Sequence, residues 1–318
     1  MTTDATETTD EMHPQARAVV ERQRKLGLTP LHRHGVRRLR FLMRVSAWLS
    51  NRNPPAVGAT FDRTIPGYDD GDDVPVRVYR PEGRGPFPTV VFYHGGGYVM
   101  GSLATHDRLC RELARRSDSV VVAVDYRLAP EHPFPAAIED ASAALSWAAA
   151  NPDALASTGT VSVVGDSAGG TLAAVVALIA AERDGPTVAH QALCYPGIGV
   201  ELEQESVQDH AGTVLSRADL EWFRDCYYGS DIVQRNPYAD PIHADDLSGV
   251  PPATVITAGF DPLRDGGRAY AERLVADGVD VSYEEYEDMI HGFMTNLHRP
   301  RIDRAYDAVD RVAAALPE

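Results

Sequence analysis

The chain has 318 residues, 44% of them hydrophobic, and a net charge of −16, which suits one large α/β domain with an insertion. The acidic balance argues against nucleic acid, whose phosphates would be repelled. No apolar run reaches the ~18 residues that cross a bilayer, and the polar opening MTTDATETTDEM is the opposite of a basic-then-apolar signal peptide.

A cytoplasmic protein without a membrane span is therefore expected. Three scattered cysteines, Cys110, Cys194 and Cys226, fit neither a disulfide framework nor a metal-binding pair. Basic residues are one lysine (Lys25) against 29 arginines, and 29 aspartates outnumber 17 glutamates. Two readings stay open: solubility in high salt, where charge repulsion is screened, or codon bias in a GC-rich genome.

In chain order, residues 15–50 interleave Ala, Val, Leu, Phe and Met with Arg and His. They read as amphipathic helix broken near GLTPLHRHG. From 59, ATFDRTIPG and VPVRVYRP alternate like an antiparallel strand pair. Then TVVFY (89–93), SVVVAVDY (119–126), TVSVVGD (160–166), QALCYPG (191–197), ATVITAG (253–259) and VDVSYEEY (279–286) are continuous apolar runs, the pattern of strands buried on both faces. Helical patterns separate them, so the fold class is α/β, with a mainly parallel sheet flanked by helices. The alternation breaks at 200–236, a polar, largely helical insertion. With residues 1–51 it forms an expected cap over the ligand-binding edge of the sheet, leaving 52–199 and 237–318 as the main domain.

The most specific local signal is Gly165-Asp166-Ser167-Ala168-Gly169, a G-x-S-x-G between a buried strand and an Ala-rich helix. Such an elbow lifts a serine hydroxyl above the sheet. A bare match also occurs when serine merely caps a helix, but the strand–elbow–helix context favours a nucleophile. The hydroxyl needs a base, and the base an orienting acid, in the chain order Ser, acid, His.

Five histidines follow Ser167. His190 precedes a strand, His210 and His243 lie in or beside the insertion, and His298 falls where the last helix is expected to begin, as a surface residue. His291, in MIHGF after a strand, is the base. Asp261, in GFDPLRD after another strand, is the acid; its rival Asp265 sits where a helix should start. An acyl transfer also needs backbone N–H groups aimed at the oxyanion. One comes from Ala168, and the loop His94-Gly95-Gly96-Gly97 after TVVFY is placed to supply the rest without side chains in the way.

HGGGYVMGS, DYRLAPEHPFPAA, GDSAGGTLA, DPLRD and HGF, in that order, resemble the hormone-sensitive lipase family of α/β-hydrolases, and more narrowly its bacterial and archaeal carboxylesterases. The resemblance covers about residues 60–318. It implies the α/β-hydrolase fold with a helical cap, and Ser167, Asp261 and His291 as nucleophile, acid and base. Gly96, Gly97 and Ala168 are then the oxyanion donors. Gly95 shapes that hole, while His94 and Asp166 support it from behind. Asp125, Arg127, Glu131 and His132 buttress the site.

The implied activity is hydrolysis of short- to medium-chain acyl esters by a Ser-His-Asp carboxylesterase through an acyl-enzyme. The substrate is a small-molecule ester, no cofactor or metal is called for, and a homodimer is compatible. A ligand receptor of the same fold is the alternative from another class. A plant hormone receptor that resembles this family lacks the catalytic histidine, whereas His291 is present here. Amide, lactone and carbamate substrates pass through the same intermediate and stay open.

Overall fold

The computed structural model describes residues 11–230, 233 and 235–318. Positions 1–10, 231, 232 and 234, counted above within the expected cap, lie outside the described residues.

The eight apolar segments are strands: β1 (Ala59–Ile65), β2 (Val74–Arg80), β3 (Phe87–Tyr93), β4 (Val120–Val124), β5 (Ser157–Asp166), β6 (Gln191–Cys194), β7 (Ala253–Phe260) and β8 (Val281–Ile290). They form one sheet in the order β1-β2-β4-β3-β5-β6-β7-β8. β2 runs antiparallel to β1 and β4, and every other pairing is parallel. This is the expected α/β-hydrolase sheet.

The α-helices with bounds among the described residues are α1 (Pro14–Lys25), α2 (Val36–Ser50), α3 (Leu103–Ser117), α4 (Ala136–Ala150), α5 (Pro152–Leu155), α6 (Ala168–Glu182), α7 (Glu205–His210), α8 (Arg217–Tyr227), α9 (Arg264–Ala276) and α10 (Arg304–Ala315). Alternate strand residues face opposite sides, so the sheet has two apolar faces. Val91, Val122 and Val163 meet α4, α6 and α9 on one side. Val90, Val121 and Val164 meet α3 and α10 on the other.

The N-terminal helices do not separate cleanly from this core. Ala16, Val19 and Val20 of α1 belong to the same apolar cluster as α3 and α10. The insertion has a small cluster of its own, Val200, Val207, Leu215 and Leu220, joined by Leu31 from the N-terminal segment. Polar clamps complete the attachment. Asp219 accepts from the His32 backbone at 2.8 Å, and Arg40 of α2 donates to the Val99 and Ala129 carbonyls, each at 2.8 Å.

Strand register decides what meets at the C-terminal edge. Tyr93 pairs with Gly165, so the glycine loop after β3 lies beside the elbow after β5. Phe260 pairs with Ile290, which sets Asp261 beside His291.

Candidate active site

β5 ends at Asp166, and Ser167 follows with φ 54° and ψ −123° before α6 begins. A non-glycine residue held there costs of order 1–3 kcal/mol, and it stands only because its neighbours are small. A Cβ added at Gly169 would overlap the Tyr93 carbonyl. The elbow is fixed by Ser167 N–H donating to the Cys194 carbonyl at 2.8 Å.

Ser167 Oγ lies 2.9 Å from His291 Nε2. His291 Nδ1 lies 2.7 Å from Asp261 Oδ2, and the other carboxylate oxygen accepts from Leu263 N–H at 2.9 Å. Asp261 is fully buried and His291 nearly so. Tyr195 packs edge-on to the imidazole, with ring centres 5.2 Å apart. The three residues singled out in the sequence therefore form one continuous chain of polar contacts.

The remaining candidates lie elsewhere. Asp265 is in the first turn of α9, where it accepts from Ser206 N–H and pairs with Arg264. His190 is buried against Thr254 Oγ1 at 2.9 Å. His298 departs from the expectation of a surface residue at a helix start. It is half-buried, α10 begins only at Arg304, and the side chain faces the cavity above Ser167.

The glycine loop turns sharply, with φ +132° at Gly96 and +60° at Gly97. A Cβ at Gly96 would overlap the Met100 carbonyl, and one at Gly97 the Phe223 ring. The Gly96 and Gly97 N–H groups have no protein acceptor among the described residues. Ala168, first residue of α6, likewise has no intrahelical acceptor for its N–H. Gly95 differs: its N–H donates to Asp166 Oδ1 at 2.9 Å, so it ties the loop to the elbow instead of offering a donor.

A family model described as alpha/beta hydrolase fold matches residues 90–295. The carboxylesterase NlhH of Mycobacterium tuberculosis is 44% identical over 262 residues, 80% of this chain and 81% of that protein. The carboxylic ester hydrolase LipN of the same organism is also 44% identical, over 241 residues, 73% of this chain but 64% of LipN. A solved structure of a hyperthermophilic esterase from the archaeon Pyrobaculum calidifontis is 41% identical with a TM-score of 0.89, covering 96% of this chain and 97% of that one. The chain belongs to the hormone-sensitive lipase-like family of α/β-hydrolases.

In this α/β-hydrolase the site opens into a cavity of about 660 Å³. Ser167, His291 and Gly95 to Gly97 form its floor, and Leu39 and Met43 of α2, Leu215 just before α8 and Phe223 of α8 form apolar walls. Among the described residues no cluster of three His, Cys, Asp or Glu side chains could hold a metal ion, and no helix is long and apolar enough to cross a membrane.

Behind the glycine loop lies a buried polar layer. Burial, with His106 alongside, pulls His94 down to about 3, so the ring stays neutral. It stacks on Tyr126 at 4.3 Å, and its Nδ1 lies 3.0 Å from the Gly95 carbonyl. Burial pushes the Asp166 carboxyl up, but His106 and the Gly95 N–H outweigh it and hold the group below the usual carboxylate range. His106 Nε2 is 3.1 Å from Asp166 Oδ1. Sequence reasoning missed His106, because nothing in THDRL marks a helical histidine as a partner of the elbow.

The buttress residues also divide. Arg127 forks onto the buried Asp140 and the partly exposed Glu139. Glu131 reaches the other way and binds Arg40 of α2 with both oxygens, at 3.0 and 2.9 Å.

Proposed function

We propose that this protein is a serine carboxylesterase that hydrolyses short- to medium-chain acyl esters through an acyl-enzyme. The reading rests on one observation, the contact chain from Ser167 through His291 to Asp261 at the base of an apolar cavity. His291 Nε2 accepts the Ser167 proton as Oγ attacks the ester carbonyl. The protonated imidazole then gives that proton to the departing alcohol. Asp261 accepts from His291 Nδ1–H, fixing the tautomer and stabilising the imidazolium without taking the proton. Water, activated by the same histidine, releases the acid.

Negative charge develops on the carbonyl oxygen, and the uncommitted N–H groups of Gly96, Gly97 and Ala168 are its stabilising donors. The N-terminus of α6 adds a favourable dipole. Residues 11–51 and the described part of 200–236 serve as a cap that shapes the acyl pocket. Substrates named for the relatives, carboxylic esters, agree with this reading.

The test is an acyl-chain series of p-nitrophenyl esters on the wild type and Ser167→Ala. We expect the variant to lose at least roughly 10³-fold in kcat while remaining folded, and the wild type to prefer four- to six-carbon chains over emulsified triolein. Undiminished turnover by Ser167→Ala would overturn the assignment.

A further inference from the structure

The charge of this chain is distributed with an asymmetry that the reaction does not use. From Arg22 to Phe61 there is no Asp or Glu, and nine basic residues give the segment +9; the rest of the chain carries −25. Within the segment, α2 turns Leu39 and Ala47 inward, and Arg40 locks that orientation through the Val99 and Ala129 carbonyls. The opposite face bears Phe41, Val45, Trp48 and Leu49, exposed by 62, 42, 64 and 49%. With Leu26 at the end of α1, these are five of the eight large hydrophobic side chains exposed among the described residues.

Helical spacing sets Arg37 and Arg44 along one flank of this stripe and Arg38 at its N-terminal end. All three are exposed and make no ion pair among the described residues. Arg52 lies over the Trp48 ring, 4.5 Å from its centre.

We propose that this face of α2 docks on an anionic lipid surface. An exposed stripe of Trp, Phe, Val and Leu between arginines suits the boundary of acyl chains and headgroups. The rings enter the apolar layer and the guanidinium groups stay among the phosphates. Repulsion from acidic groups elsewhere in the molecule is screened beyond a Debye length of about 8–10 Å. A second copy of the chain fits less well, because a two-fold contact through this face would set the arginines of one α2 against those of the other.

Docking places the cavity mouth at the lipid, since Val45 and Leu49 also line the cavity beside Ser167. Delivery of ester lipids to that site rests on the proposed esterase reading; the docking itself does not.

The experiment therefore uses the full-length Ser167→Ala protein with vesicles of phosphatidylcholine alone or mixed equally with phosphatidylglycerol. Expected are binding at least about tenfold tighter to the mixed vesicles, weakened by added salt, and a blue shift of Trp48 emission. Phe41→Ser/Trp48→Ser, two side chains outside the cavity wall, should cut that binding at least about tenfold. Placed in the active enzyme, the same pair should leave hydrolysis of a soluble short-chain p-nitrophenyl ester unchanged. Equal binding to both vesicle types, binding that survives the double substitution, or a dimer abolished by it without vesicle binding would each overturn the proposal. Loss of activity in the wild type would instead count against the esterase reading alone.

Discussion

The C-terminal edge of the sheet and the helices above it hold their residues by different means. At the edge, Ser167 and Asp261 follow strands that are buried on their approach to it, His291 follows the buried Met289–Ile290 end of the otherwise half-exposed β8, and adjacent registers bring the three together. Above it, α2 turns Leu39 and Ala47 inward, is clamped by polar contacts from Arg40, and leaves a row of large apolar side chains outside. Tight apolar packing fixes a position to fractions of an ångström, because any shift loses many contacts at once. A handful of polar clamps permits an element to be displaced as a unit. The chemistry thus sits on the densely packed part, and the proposed cap is the part held by fewer contacts. Substitutions at three places, the glycine loop, the ends of the insertion and the Arg40 clamp, probe this division.

The largest effect is expected where the cap touches the oxyanion loop. Gly97 has φ +60°, and a Cβ there would overlap the Phe223 ring of α8. Gly97→Ala should displace its N–H and lower kcat by roughly 10²–10³-fold, with a smaller change in KM. If the obstacle is the ring, adding Phe223→Ala should recover part of the loss. If the obstacle is backbone strain in the left-handed region, the double variant should be as slow as the single one. A single variant with full kcat would remove Gly97 from the donor set.

The next effect concerns the hinge of the insertion. Asp240, after the insertion, accepts twice from the N–H of Gly199, before it. One buried carboxylate thereby joins its two ends. Burial pushes this carboxyl up to about 6, only partly opposed by the Gly199 and Ile242 N–H groups. The native state therefore holds more protons than the unfolded chain between about pH 4 and 6. The contribution of Asp240 to stability is complete below the unfolded value and is lost as pH rises through the folded one.

His94, pulled down to about 3 by burial, slopes the other way, so only the difference between variants is informative. Asp240→Asn should gain relative to wild type as pH rises from about 4 to 8, approaching about 3 kcal/mol at about 1.4 kcal/mol per pKa unit. Denaturant titration at each pH measures it, and a difference that does not vary with pH would contradict the account.

The same division explains what could be read in advance. The edge was legible because its chemistry is local: an elbow requires small residues around one serine, and an oxyanion loop requires bare backbone, so GDSAG and HGGG carry their own physical signatures. Asp261 and His291 were recoverable from chain order and from strands that end just before them. The cap was not legible in the same way. Glu131 is expected to buttress the site, and nothing in LAPEH shows that its partner is Arg40, 91 positions away. His298 reads as a surface residue at a helix start, but that helix begins only at Arg304. His106 was passed over because it looks like any residue of an amphipathic helix until the fold sets it against Asp166. Long-range polar contacts leave no period in the sequence, whereas buried strands do.

Arg40 gives the smallest expected effect and the sharpest test of the seam. Its guanidinium donates to two carbonyls of the main domain, Val99 and Ala129, and pairs with the half-exposed Glu131. The two parts of this clamp differ in weight. An exposed ion pair is screened by water and contributes about 0–1 kcal/mol, while each bond from this partly exposed guanidinium to a carbonyl contributes about 0.5–1 kcal/mol net of the water it replaces. Glu131→Gln should therefore cost less than about 1 kcal/mol in urea unfolding, and Arg40→Ala about 1–2 kcal/mol. If the cap controls access, Arg40→Ala should also raise KM for the longer acyl chains and leave kcat for a short ester nearly unchanged. If α2 helps to hold the oxyanion loop in place, kcat must fall instead, because Val99 lies two residues beyond Gly97 in that loop. A fall in kcat matching that of Gly97→Ala would show that the cap is part of the catalytic frame and abolish the division between the two regions.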